Sequence, residues 1–132
     1  MGINNEQNGR AVTPPTYLVQ NMSDAIPATF DVELFQTLAE SGTVRIERIV
    51  SCGQATPPGE WYDQEWDEWV LLVSGGATLL FEEGTTRLEL KPGDHLMIPA
   101  GCRHRVERTD AGRNTVWLAV HCGRQNQEQV RS

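Results

Sequence analysis

An all-β barrel of the jelly-roll kind, with one short helix near its N-terminus, is the fold class this sequence predicts. Three observations carry that expectation. From residue 44 to residue 122 the chain breaks into short apolar or alternating runs of strand length. Turns rich in glycine and proline separate those runs at short, regular intervals. The chain has 132 residues, enough for one domain with a core of its own. At that size about two-thirds of the surface of the unfolded chain is buried on folding.

Taken in order, residues 1–15 read as a disordered arm, because Asn, Gln, Gly and Pro offer nothing to bury. Residues 16–124 read as a single domain and 125–132 as a polar flexible tail. The helix is expected over Phe30–Glu40, where Leu34, Phe35 and Leu38 share a helical face. Thr29 or Asp31 can cap its start, and Gly42 follows its end. Val44–Val50 alternates cleanly and predicts a strand with one wet face. Glu68–Ser74 is nearly continuous in apolar residues, the pattern of a strand covered on both faces. Gly75-Gly76 turns the chain into Ala77–Phe81, and Glu83-Gly84 turns it into Thr86–Leu90. Lys91-Pro92-Gly93-Asp94 leads to His95–Ile98, and Pro99-Ala100-Gly101 to Arg103–Thr109. Asp110-Ala111-Gly112-Arg113 precedes the last strand, Thr115–Cys122.

Charge narrows the function. Eighteen acidic residues against 11 basic ones give a net charge of −7. Phosphate affinity needs clustered Lys and Arg, so neither nucleic acid nor an anionic membrane is an expected partner. No apolar run reaches the ~20 residues of a membrane helix, and the polar first 20 residues lack the apolar stretch of a signal peptide. The expected location is cytoplasmic. Cys52, Cys102 and Cys122 are odd in number and lack CxxC spacing, which speaks against a disulfide framework or a thiolate zinc site.

The spacing Gly93, Pro99, Gly101, His104 resembles the second signature of the cupin superfamily. That signature ends with Asn four residues after the His, where this chain has Arg108. Upstream, Glu68 followed by six residues and Gly75 resembles the end of the first signature. Metal-binding cupins carry His-x-His shortly before that Glu. Here the run Trp61-Tyr62-Asp63-Gln64 stands in its place, with Tyr62 and Gln64 at the His positions when three residues intervene and Trp61 and Asp63 when four do. The resemblance is to a small single-domain bacterial cupin (a conserved barrel of the cupin 2 kind) with Tyr-Asp-Gln in place of His-x-His. It implies a double-stranded β-helix, a small-molecule ligand or substrate inside the barrel, and a homodimer.

The resemblance also implies a divalent transition metal held by Gln64, Glu68, His104 and Tyr62, with Zn, Mn, Fe and Ni all open. The chemistry of those side chains leaves an alternative. Phenol ionisation near neutral pH is unfavourable without a metal, whereas His104 and Glu68 can move a proton without one and Tyr62 can donate to a developing oxyanion. Such a trio suits an isomerase, epimerase or lyase, and dioxygenases also occur among cupins. A non-catalytic sensor or binding barrel without metal is the rival reading. Asp63 is an alternative ligand. His121 joins the site if its phase of the last strand faces inward. Arg108 shares the His104 face if no bulge intervenes, although an ion pair is the simpler role for it. Trp61, Tyr62, Trp66 and Trp69 either line the mouth of a pocket or pack strand ends.

Overall fold

The computed structural model describes residues 14, 16–82 and 86–123. The expected arm (residue 14 apart), the Glu83-Gly84 turn and the expected tail lie outside the described residues. Eight strands follow one another: β1 (Leu34–Ser41), β2 (Val44–Ser51), β3 (Asp67–Ser74), β4 (Ala77–Phe81), β5 (Thr86–Leu90), β6 (His95–Ile98), β7 (His104–Thr109) and β8 (Thr115–Cys122). They form a five-stranded sheet in the order β1-β2-β8-β3-β6 and a three-stranded sheet in the order β5-β4-β7. Every pairing is antiparallel. From β2 onward the strands lie where the alternation predicts them.

The expected helix is absent: among the described residues there is no helix, and Leu34–Ser41 is the edge strand β1. Its register on β2 shifts between Thr37 and Ala39, so Leu38 is an extra residue. The bulge flips the facing of the chain and puts Phe35, Thr37 and Glu40 opposite Ile49, Glu47 and Arg45. Apolar residues on either side of such a bulge fall at spacings that mimic a helix. A helix this short has little stability of its own, and the free edge of β2 offers a full ladder of hydrogen bonds instead.

The core lies between the two sheets. Val70, Leu72, Ala77, Leu79, Phe81, Ile98, Trp117 and Ala119 form one buried cluster, with Leu72 wholly inaccessible. The outer face of β2 is not wet as its alternation predicts. Arg48 is buried there, donating to the carbonyls of Met22 at 3.0 Å and Asp24 at 2.6 Å, so the chain before β1 folds back across the sheet. Conversely, β3 is buried on alternate residues only, and its outward residues Asp67, Trp69, Leu71 and Val73 are partly exposed. At the β3–β4 turn Gly75 has φ +87°, and a Cβ there would overlap the Thr115 side chain. Thr115, fully buried, donates to the Gly76 carbonyl and accepts from the Gly76 amide. That turn thereby docks against the start of β8.

Candidate active site

Antiparallel register sets out the site as rows of side chains across the inner face. Arg45 of β2 is opposite His121 of β8, His121 is opposite Glu68 of β3, and Glu68 is opposite Ile98 of β6. The next row along is Glu47, Ala119, Val70 and Leu96, and beyond it Ile49, Trp117 and Leu72. The row at one end is therefore polar except for Ile98, and the rows beneath it are apolar except for Glu47. The small sheet faces them with His104 opposite Phe81 and Val106 opposite Leu79. Between the sheets is a cavity of about 210 Å³, lined by Tyr62, Gln64, Glu68 and His104 together with Arg45, Glu47, Trp66 and His121.

The two motifs are tied to each other by backbone hydrogen bonds. Tyr62 N–H donates to the His104 carbonyl at 2.7 Å, and His104 N–H donates to the Tyr62 carbonyl at 3.1 Å. Gly101 N–H donates to the Gln64 carbonyl at 2.8 Å, from a φ of +79° that glycine adopts without a Cβ penalty. Ala100 N–H donates to Asp67. The Pro-x-Gly turn is thus a clamp on residues 62–67, and it brings Tyr62 and Gln64 beside His104.

His104 is 4% exposed, its ring lying 5.5 Å from that of Tyr62 and 5.8 Å from that of Phe81. Its Nδ1 is 2.9 Å from the Cys102 carbonyl. A carbonyl only accepts, so Nδ1 carries the hydrogen and the neutral ring keeps a lone pair on Nε2. That Nε2 is 3.9 Å from Glu68 Oε1. The gap is too long for a direct hydrogen bond, and a single oxygen placed between the two can bond to both.

Glu68 is 6% exposed, and burial pushes its carboxyl above the usual carboxylate range. The facing imidazoles of His121 and His104 and a hydrogen bond with Gln64 pull the other way without cancelling it. Burial likewise raises the Tyr62 phenol, and Glu33, Glu68 and Glu47 add to the rise, against a hydrogen bond with Thr56. Burial also raises Glu33, whose carboxylate accepts from Ser51.

His121 does face the interior, and both its nitrogens are engaged. The Trp66 indole donates to Nδ1 at 2.8 Å. An indole N–H only donates, so Nδ1 is bare and Nε2 carries the hydrogen. That hydrogen goes to Glu47 Oε1 at 3.0 Å. Trp66, His121 and Glu47 form a closed chain at the cavity wall.

These donors bear on the transition metal that the resemblance implies. His104 offers one lone pair and Glu68 one carboxylate, while the Tyr62 phenol is held further from ionisation than a free phenol. Neither nitrogen of His121 is available. Among the described residues no three His, Cys, Asp or Glu side chains stand close enough to share an ion. The set does not fit a tight zinc, manganese, iron or nickel centre, which needs three or more strong protein donors in reach of one point.

Other candidates lie elsewhere. Asp63 is exposed and 4.0 Å from Arg103 Nε, outside the cavity. The β4–β7 register shifts between Thr78 and Leu79, so a bulge does intervene. Thr109 is buried as a result, and Arg108 pairs with Asp110 at 2.8 Å on the surface. Trp61 packs outside under Arg103 and Arg105, each 6.0 Å from its ring. Trp69 stacks on His95 on the outer face. No disulfide joins Cys52, Cys102 or Cys122. Arg45, Glu47 and Trp117 were not singled out by sequence. The signal for the first two was the shared phase of Arg45, Glu47 and Ile49.

Comparison with known proteins agrees with this architecture. The cupin domain family Cupin_2 matches residues 51–121. A protein of known structure from Ralstonia eutropha JMP134, provisionally named a mannose-6-phosphate isomerase, is 50% identical over 81% of this chain and 99% of its own, with a TM-score of 0.77. A cupin superfamily protein from Desulfitobacterium hafniense DCB-2 shares the fold at 23% identity, over 75% of this chain and 84% of its own, with a TM-score of 0.63. The polyketide cyclase RemF from Streptomyces resistomycificus does so at 19% identity, over 71% of this chain and 67% of its own, with a TM-score of 0.60. No curated protein matches the chain. With more than half of its length matched by the family and a half-identical structural relative, this chain belongs to the cupin domain family.

Proposed function

We propose that this cupin, working as a single domain over residues 16–124, is an enzyme that moves a proton beside a carbonyl group of a small polar metabolite, as an isomerase or epimerase does, without a resident metal. The observation that carries the reading is the pairing of His104 and Glu68: a bare imidazole nitrogen and a buried carboxyl that burial pushes above the usual carboxylate range, 3.9 Å apart in a cavity. The half-identical relative provisionally named an isomerase supports the reaction class.

In this reading His104 Nε2 takes the proton from the carbon next to the carbonyl. Its Nδ1–H bond to Cys102 holds the ring in the tautomer and the orientation that task needs. Glu68, protonated, donates to the carbonyl oxygen as charge develops there, and the Tyr62 phenol adds a second donor. The imidazolium then returns its proton to the former carbonyl carbon, while the hydroxyl on the neighbouring carbon gives its proton to Glu68, which had passed its own to the carbonyl oxygen. Carbonyl and hydroxyl thus change places with no net gain or loss of protons. Gln64 orients Glu68 through their hydrogen bond.

Proton abstraction leaves a trace. In D₂O, small aldoses, ketoses, 2-hydroxy aldehydes and their phosphates are offered to the protein, and proton NMR follows loss of the signal beside the carbonyl. Exchange is expected with at least one of them, and is expected to vanish in His104→Gln and in Glu68→Gln. Exchange that survives both substitutions removes these residues from the chemistry. Saturable binding without exchange favours the non-catalytic barrel.

A further inference from the structure

We propose that Arg45 anchors an oxyanion, a carboxylate or phosphate group, of the ligand that enters this cavity. The inference rests on the proton-transfer site described above and names the class of its substrate.

Arg45 is partly buried on β2 and lines the cavity in the same row as His121 and Glu68. Its Nε is buried and has no hydrogen-bond partner. Carboxylates are near enough in register to have answered it. Glu40 is opposite Arg45 on β1, and Glu47 is two residues along on the same face. Neither pairs with it: Glu47 is committed to His121, and among the described residues no ion pair reaches Arg45. A guanidinium cannot shed its charge, and a buried N–H of it left unanswered is costly unless a partner arrives from outside. Its planar fork of donors matches the two oxygens of a carboxylate or phosphate.

A second orphan points to the same kind of ligand. Trp117, 4% exposed, lines the cavity with its indole Nε1 buried and unpartnered. Both unmet groups of the cavity are therefore donors, which a ligand rich in acceptor atoms satisfies. Arg45 is also placed for capture. It lines the rim cleft beside Ser41, Thr43 and Gly123 as well as the inner cavity, with Trp66 and His121 common to both. Each of the three carboxylates of the cavity is engaged by another group or drawn toward its neutral form. Glu47 receives a hydrogen from His121 and Glu33 one from Ser51, and burial draws Glu33 and Glu68 toward their neutral forms. Arg45 and Glu68 are two strands apart, roughly 10 Å between backbones. The long arginine side chain closes much of that span, so the anion is only a few bonds from the carbon that faces His104.

The test uses the full chain and small probes: inorganic phosphate, acetate, and acetamide as the uncharged match for acetate. Calorimetry and tryptophan emission, to which Trp66 and Trp117 of the cavity contribute, report binding. Saturable binding of phosphate or acetate, but not acetamide, is expected. Arg45→Gln is expected to weaken it by about tenfold or more, the value of a charge-assisted hydrogen bond, and Arg45→Lys by less. Whichever anion binds tighter assigns the group as phosphate or carboxylate. Unchanged affinity in a folded Arg45→Gln, acetamide binding as tightly as acetate, or no anion binding by the wild type overturns the proposal. If Arg45→Gln does not fold, Arg45→Lys binding more weakly than wild type or with an altered phosphate-to-acetate preference upholds the anchor, and no change in either overturns it. Arg45-dependent binding without deuterium exchange defeats the proton-transfer reading alone. Exchange on substrates indifferent to Arg45→Gln defeats the anchor alone.

Discussion

Replacing Trp66 by Phe removes one hydrogen from the wall of the cavity and leaves a ring in place. In the native protein the indole hydrogen sits on His121 Nδ1 at 2.8 Å, the two rings meeting edge to face at 5.9 Å. His121 is 6% exposed, so water does not readily replace the lost donor. A buried acceptor left unmet costs about 1–3 kcal/mol. At the middle of that range, and at about 4 °C per kcal/mol for a chain of this size, the melting temperature falls by roughly 8 °C. Glu47→Gln is the control, because an amide oxygen still accepts from Nε2 and a smaller loss is expected. Urea unfolding measures the cost. Nitrogen-15 NMR of the histidines reads the tautomer, with only the Nε2–H form of His121 expected in the wild type and a mixture in Trp66→Phe. Stability within about 0.5 kcal/mol of wild type, the range of an indifferent substitution, with the tautomer unchanged, refutes the claim that Trp66 fixes His121.

Glu68→Gln is expected to abolish exchange chemistry and to stabilise the fold at neutral and higher pH. A carboxyl raised above its unfolded value favours the folded state only at low pH, and that contribution is lost as pH rises through its folded pKa. Melting curves from acid to neutral pH should therefore flatten in the variant, and an unchanged slope contradicts the burial argument. His104→Ala is expected to keep the circular dichroism of the fold while lowering turnover by about 10²–10⁴-fold; unfolding instead assigns His104 a packing role. Leu72→Ala, at the inaccessible centre of the core, should cost about 2–5 kcal/mol in urea unfolding. Gly101→Ala should cost about 1–2 kcal/mol for its left-handed backbone. It should also impair the site more than its stability loss explains, because Gly101 clamps Gln64.

The strands from β2 onward were legible because alternation and glycine turns are local signals. β1 was not, because one bulge converts alternation into helical spacing and the deciding hydrogen bonds come from β2. Glu68, His104, Tyr62 and Gln64 were found through motif spacing, which states positions along the chain. What remained hidden depends on register between strands distant in sequence. Arg45, His121 and Glu68 form a row only once β2 and β3 flank β8. Arg108 was displaced by a bulge opposite Thr78 that no local pattern announces. The closed Trp66–His121–Glu47 chain, which takes His121 out of the ligand set, is a matter of side-chain angles.

The central claim is a His104–Glu68 proton-transfer site that needs no resident metal. Elemental analysis tests it most directly, on protein purified without a His tag or chelator and again after zinc, manganese, iron(II) or nickel is added and excess removed. Metal well below one equivalent per chain is expected, with the same content in His104→Ala. About one equivalent per chain, lost in His104→Ala, contradicts the claim and makes His104 a ligand.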